Sequence, residues 1–313
     1  MKAIGAHRYG GPEVLEVVEL PDPEPGEGEV LVRVRAAAVN PTDTYVRNGD
    51  RERAQRKQSP PPYVPGMDVA GVLEAIGPGV DTALSVGDRV MAVVVPNGHH
   101  GAYSEMLALP VGSVAAAPAG TSHVEASTLP MNGLTARLAL DLLALEPGQV
   151  LGVTGSAGAL GGYVIELAKA DGLTVIADAS EKDEALVRKL GADIVVRRGD
   201  DVADGFLAEV PDGVHGLVDG SVQDEALFPA IRDGGGFAAV RGFRGEAPRG
   251  IQNHQVWITA YAEEQAKLDR LREQAEAGQL TLRVAETIPA AQAAEAHRRL
   301  EAGGTRGRFV LEF

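Results

Sequence analysis

The stretch of this chain best suited to chemistry is Gly155–Ser156–Ala157–Gly158–Ala159–Leu160–Gly161–Gly162, set between an apolar run, Val150–Thr154, and a helix-forming run, Gly162–Ala170. Glycines at such a turn let the backbone reverse tightly, approach a pyrophosphate and pack the following helix near a sheet. The helix N-terminus then offers unpaired N–H groups to the phosphates. Ser156 stands at the first position of the usual G-x-G-x-x-G, so the string reads as a variant of the dinucleotide fingerprint. Its candidate cofactor-binding residues are Ser156, Ala157, Gly158, Ala159, Leu160 and Gly161.

The choice of dinucleotide is carried by the next segment. Roughly twenty residues beyond Gly158 lies Asp178, where an acid can accept the ribose 2′-OH of NAD. Ser180 and Lys182 follow, and Arg197–Arg198 close the next apolar run. These can hold a 2′-phosphate, the cations by charge and the serine by hydrogen bond. Side chains alternate along a strand, so only one of Asp178 and Ala179 faces the ribose. The grouping favours NADPH, with Ser180, Lys182 and Arg198 as the discriminating residues, and Asp178 keeps NADH open. The chain has no cysteine, which excludes disulfides and thiolate ligation of a metal. Its histidines show no metal-ligand spacing. His99–His100, beside Asn97–Gly98, reads as a solvated turn, and His123, His215, His254 and His297 read as ordinary structural residues.

Such residues need an α/β frame, and the pattern supplies one from Val150 onward. Strand-like runs (Val150–Thr154, Thr174–Ala177, Ile194–Val196, Gly216–Asp219, Gly236–Val240) alternate with helix-like runs (Gly162–Ala170, Asp183–Leu190). That alternation predicts a doubly wound parallel sheet. Before it, from Met1 to about Pro118, short apolar runs such as Val14–Val18, Val30–Val34, Val69–Ile76 and Arg89–Val95 sit between turn signals such as Gly77–Pro78–Gly79. They predict an all-β, barrel-like module. Arg51–Pro62, polar and Pro-rich, is expected to be a flexible surface loop. Glu125–Leu145 reads as helical with a break at Pro130–Asn132. Ala262–Ala277 reads as a long charged helix, followed by a β/helix/β tail with a helix over Ala290–Ala302.

Composition narrows the function classes. With 313 residues, 44% hydrophobic and 23% charged, the chain can bury a core and is long enough for two domains. A net charge of −15 argues against a nucleic-acid partner, which would call for a basic surface. No apolar leader and no stretch of 18 apolar residues is present, so a cytoplasmic protein without a membrane partner is expected.

Several motifs together resemble the zinc-free quinone oxidoreductase branch of the medium-chain dehydrogenase/reductase family. Val39–Arg47 reads VNPTDTYVR and Tyr63–Gly71 reads YVPGMDVAG. Gly87–Asp88–Arg89–Val90, Gly101–Ala102–Tyr103–Ser104–Glu105 and Asn132–Gly133–Leu134–Thr135–Ala136 follow in the family's order. The resemblance implies a GroES-like β-barrel domain built from both chain ends, 1–118 and 262–313, and a Rossmann domain, 119–261, with the cofactor in the cleft. It implies a homodimer paired through the Rossmann sheets, with Val256–Thr259 as the expected edge strand. Positions that hold zinc in other relatives match Asn40, Met67 with Asp68, and Met131. Asn and thioether are poor zinc ligands and Asp68 alone cannot hold the ion, so no metal is expected.

The resemblance also implies site residues. Tyr45 and Asn40 are expected to serve the reaction, Tyr45 by hydrogen-bonding a substrate carbonyl and Asn40 beside the nicotinamide ribose or substrate oxygen. Thr135, the loop Val240–Arg241–Gly242, and Arg308, which replaces the family's usual Lys, are expected at the cofactor; Asp43 is expected to be structural. The implied activity is NADPH-dependent, zinc-independent reduction of a small-molecule quinone or α,β-unsaturated carbonyl alkene. Two alternatives stand beside it: an enoyl-thioester reductase of the same family, and a non-catalytic NADPH-binding protein.

Overall fold

Along Glu29–Ala38 the valines Val30, Val32 and Val34 are buried while Arg33 and Arg35 are the more open positions, and this strand organises the N-terminal half. In the computed structural model, which describes residues 1–50 and 59–313, it pairs antiparallel with Asp68–Ile76 along its whole length. Met106–Pro110 joins its first half and Arg308–Glu312 its last residues. Gly71 permits the close approach of the central pair, since a Cβ there would meet the Arg33 carbonyl oxygen at 2.0 Å. Val284–Pro289, Arg89–Val93 and Val114–Ala116 complete a seven-stranded sheet among the described residues, and Lys2–Gly5 with Glu16–Glu19 forms a separate hairpin. One core unites Ile4, Val32, Leu73 and Leu107 with Ile288, Phe309 and Leu311 from the other chain end. Each such aliphatic side chain, fully buried, contributes about 1.5–3 kcal/mol.

The chain divides into two compact units. One comprises Met1–Met131, Thr259–Glu276 and Leu282–Phe313; the other comprises Asn132–Ile258 and Ala277–Thr281. Residues 119–131, assigned from sequence to the dinucleotide half, lie in the β-rich unit. They are tied there by the Met131 N–H to Asp68 (2.6 Å) and by Arg308 to the Thr128 carbonyl (3.2 Å).

The second unit is a six-stranded parallel sheet in the order Ile194–Arg197, Thr174–Ala179, Val150–Thr154, Val214–Asp219, Ile231–Ala239, Gln252–Gln255. Numbered along the unit this is 3-2-1-4-5-6, the doubly wound order. Helices Ala159–Ala170, Glu184–Lys189 and Val202–Glu209 connect its strands; the last, with Gly205 inside it, was not legible as a helix in the pattern. The edge strand is Gln252–Gln255, not Val256–Thr259. Its register ends where its partner strand ends, at Ala239↔Gln255, and Ile258–Ala260 is a 3-10 turn. Phe228, Phe237 and Phe243 pack edge to face, with ring centroids 5.1–6.0 Å apart, in the core on one side of the sheet. Of the loop expected at Arg51–Pro62, residues 51–58 lie outside the described residues; Ser59–Pro62 carry no helix or strand. No described helix is long and apolar enough to cross a membrane.

Candidate active site

The glycine-rich turn joins the central strand Val150–Thr154 to the helix Ala159–Ala170. The tight reversal is made by Gly155, one residue before the position read from the fingerprint: its φ is +68° and a Cβ would meet the Gly220 carbonyl at 2.7 Å. Gly158 is the helix N-cap, and at Gly161 a Cβ would meet the Gly155 carbonyl oxygen at 2.5 Å. Ser156 is buried, its hydroxyl donating to the Val153 carbonyl at 2.8 Å. Only small residues fit, and the result is a helix N-terminus at the switch point of the sheet, in which the Ser156 N–H is given to Asp178 and the Gly158 N–H to the Gly155 carbonyl.

The other dinucleotide candidates gather at the same carboxyl edge. Asp178, one residue before the end of its strand, is buried; one oxygen accepts the Ser156 N–H at 3.0 Å and the other has no hydrogen-bond partner. Arg198, half exposed, places its Nε 3.9 Å from that second oxygen. Ser180 donates its hydroxyl to Asp183, and Lys182 is exposed beside it. Val240, Arg241 and Gly242 follow the strand Ile231–Ala239 at that edge, and Thr135 lies buried on the helix Pro130–Leu143. Sequence reasoning missed Asp219. It ends the neighbouring strand and accepts from Thr154, from the Ser221 hydroxyl and from the backbone N–H groups of Ser221, Val222, Gln223 and Asp224 at 2.8–3.1 Å. This carboxylate holds a loop in which Val222 and Asp224 keep positive φ, a strained backbone beside the glycine turn. The only sequence signal was an acid closing an apolar run before Gly220–Ser221. A cavity of about 340 Å³ lined by Gln149, His215, Arg232 and Gln252 lies at the amino ends of the strands, the wrong edge for a dinucleotide.

In the β-rich unit, Asn40, Tyr45 and Arg308 belong to one neighbourhood. Asn40 caps the helix Pro41–Asn48, with Pro41 at its first position and Gly49 in the left-handed region at its end. The Asn40 backbone N–H donates to Asp43 at 2.7 Å. The Asn40 side-chain amide donates to Asp68 (2.8 Å) and the Ala38 carbonyl (3.3 Å), and its oxygen accepts from Arg308 (2.7 Å). Arg308, buried, also donates to Asp68 (2.8 Å) and to the carbonyls of Val39 and Thr128. Four of its five N–H groups are therefore taken within the protein. Tyr45 projects from the helix, half-buried.

Behind the helix lies a buried polar chain the sequence did not reveal. Tyr103 donates its hydroxyl to Asp43 at 2.9 Å and lies 3.1 Å from His297 Nε2, while Arg47 reaches His297 Nδ1 at 3.2 Å. Burial pushes Asp43 up to about 7, against the hydrogen bonds from Asn40 and Tyr103 that lower it. Burial, and then the Arg47 cation, push His297 down to about 3.

Comparison with known proteins follows the same two parts. Residues 26–123 match the family described as alcohol dehydrogenase GroES-like domain, and residues 190–311 match zinc-binding dehydrogenase. A quinone oxidoreductase of Pseudomonas aeruginosa is 31% identical over 99% of both chains. The chain belongs to the medium-chain dehydrogenase/reductase family. An alcohol dehydrogenase of Geobacillus stearothermophilus is 32% identical over 75% of this chain and 76% of its own. A mycobacterial protein complexed with NADPH superposes with a TM-score of 0.88, at 29% identity and 100% coverage of both chains. As a member of this family the protein is an oxidoreductase.

Zinc, which one family description carries, does not fit the residues of this oxidoreductase. Both Asp68 oxygens are engaged, by Asn40 and Arg308 on one side and Met131 N–H on the other. The Asn40 oxygen is held by the same guanidinium, and the Met67 sulfur accepts from Thr42 at 3.1 Å. A divalent cation would face a resident cation and a donor set of one paired carboxylate, an amide and thioethers.

Proposed function

We propose that this oxidoreductase reduces quinones or α,β-unsaturated carbonyl alkenes with NADPH and without zinc. The observation that carries the reading is the buried cluster in which Arg308 engages Asn40 and Asp68, two of the residues that the family resemblance matches to zinc ligands. With those donors spent, no Lewis acid is available to polarise an alcohol oxygen, and the substrate must spread the arriving charge itself. A nicotinamide dinucleotide supplies the hydride when bound.

The chain's own residues then have defined tasks. The helix N-terminus that follows the turn Ser156–Gly161 holds the pyrophosphate, and Lys182 and Arg198 hold a 2′-phosphate. Thr135 and Val240–Gly242 flank the nicotinamide. The Tyr45 phenol donates to the carbonyl oxygen on which negative charge develops. Asn40 has both side-chain N–H groups committed and keeps one oxygen lone pair, so it acts as an acceptor towards a ribose or substrate hydroxyl. Arg308 acts by holding Asn40.

The test is NADPH oxidation against a panel of quinones, enones, alkenals and enoyl thioesters, with and without a strong chelator. Turnover of a quinone or enone, indifferent to the chelator, is expected. Activity lost on chelation and restored by zinc refutes the metal assignment. Turnover confined to enoyl thioesters, or absent with every acceptor, promotes the enoyl reductase or the non-catalytic binder.

One observation favours NADH as a second reading: the buried Asp178 oxygen that accepts no hydrogen bond, an acceptor suited to a ribose 2′-OH. Dissociation constants at fixed salt separate the two. For NADPH, Lys182→Ala weakens binding by about tenfold, about 1.4 kcal/mol, and leaves NADH unchanged. Equal or tighter NADH binding by the unaltered protein assigns the ribose to Asp178.

A further inference from the structure

The helix Pro41–Asn48 presents two faces. Asp43 and Arg47, four residues apart, share one; Tyr45, two residues from each, lies about 200° around the axis. The first face is held by a chain of hydrogen bonds that starts and ends on this helix, and whose direction follows from chemistry. A guanidinium only donates, so Arg47 makes His297 Nδ1 the acceptor (3.2 Å) and leaves the ring proton on Nε2. His297 Nε2–H then donates to the Tyr103 oxygen (3.1 Å), and the Tyr103 hydroxyl donates to Asp43 (2.9 Å). The Asp43 oxygen that accepts it also accepts the Asn40 N–H at the helix start. Arg47 is held in turn by Glu301 (2.5 Å) and by its donation to the Gly10 carbonyl (3.1 Å).

Both clamping residues stand on rigid supports. Tyr103 is fixed by its own backbone, donating to Pro65 at 3.0 Å and accepting from Ile4 at 2.8 Å. His297 is on the helix Ala293–Glu301, whose Ala293 and Ala296 are fully buried. Asp43, Tyr103 and His297 are each fully buried, and one Asp43 oxygen has no partner at all. Apolar residues would fill this space at lower cost, because burying ionisable groups is unfavourable even when they are paired. What the polar chain adds over apolar packing is direction.

We propose that Tyr103 and His297 are positioning residues for the reaction: they lock the Asp43–Arg47 face of the helix and thereby set the direction in which Tyr45 meets the substrate. The proposal rests on the reading of Tyr45 as hydrogen-bond donor to the substrate. The charged and titratable groups around Asp43 are Arg47 on its own helix, Glu301 and the neutral His297 on the C-terminal helix, Tyr103, Asp68 on its strand and Arg308 on the last strand.

A double-mutant cycle tests it. With NADPH saturating, Tyr103→Phe lowers kcat for an enone about tenfold and leaves the NADPH dissociation constant unchanged. In a Tyr45→Phe background the same substitution costs less than twofold, because its effect runs through Tyr45. Independent, multiplicative losses overturn the proposal. A second readout needs no turnover: ¹⁹F NMR of protein labelled with 3-fluorotyrosine, the Tyr45 resonance being assigned by its loss in Tyr45→Phe. His297→Gln is expected to shift or broaden that resonance, and an unmoved resonance in both His297→Gln and Tyr103→Phe refutes the clamp. If Tyr45→Phe costs nothing in turnover while the resonance responds, it is the role of Tyr45 that fails and the clamp that stands.

Discussion

Asp43 and His297 lie two hydrogen bonds apart and pull stability in opposite directions with pH. Asp43, raised from 3.8 to about 7, binds its proton more tightly folded than unfolded. Its contribution is full below the unfolded value and is lost as pH rises through about 7. His297, lowered from 6.5 to about 3, contributes fully above 6.5 and loses that contribution as pH falls towards 3. Across the shared window, from 3.8 to 6.5, the two slopes oppose each other. Asp43→Asn removes the falling slope and leaves the rising one. Urea-unfolding free energies at several pH values in that window should therefore rise more steeply with pH in Asp43→Asn than in the unaltered protein. Parallel curves would show that Asp43 is already ionised throughout.

At the scale of elements, the glycine turn is held by backbone contact rather than by side chains. Gly161→Ala places a methyl 2.5 Å from the Gly155 carbonyl oxygen and 2.7 Å from the Ser156 Cα, atoms that cannot rotate away. Overpacking of this kind costs about 1–3 kcal/mol. Here it also displaces the helix N-terminus proposed to hold the pyrophosphate. A lower melting temperature together with weaker NADPH binding is expected. Gly205 supplies the contrast. It lies inside the helix Val202–Glu209, and a Cβ there makes only ordinary contact with the Val196 side chain at 3.4 Å. Gly205→Ala should stabilise by about 1 kcal/mol and leave binding untouched. If the two variants melt alike, close backbone packing is not what selects glycine at 161.

For the whole molecule, the outer edge of Gln252–Gln255 is the feature that asks for a partner. Among the described residues it pairs on one side only, with Ile231–Ala239, and an unpaired edge is a template for a second chain. Trp257, two residues past that edge, is 54% exposed. A homodimer joined there is expected, with a sedimentation mass twice the 32.6 kDa of one chain. The emission of Trp257, the chain's one tryptophan, should shift to the red when dilution separates the subunits. A mass of one chain at micromolar concentration would remove this edge as an interface.

The sequence by itself determined what local chemistry determines. Alternating strand and helix runs after Val150, a glycine turn between the first pair and an all-β first half sufficed for the two kinds of architecture, because periodicity and turn geometry act over a few residues. Even there, the last strand was read four residues late, since Val256–Thr259 is as apolar as Gln252–Gln255 is polar, and pairing rather than hydropathy chose between them. Only the tertiary structure decided what Asn40, Arg308 and His297 bond to. Arg308 meets Asn40 across 268 positions, and Arg47 meets His297 across 250. His297 read as an ordinary helix residue because nothing within a turn of it announces Tyr103 or Arg47. The cost of burying a polar group is met only by partners that the fold brings from elsewhere in the chain.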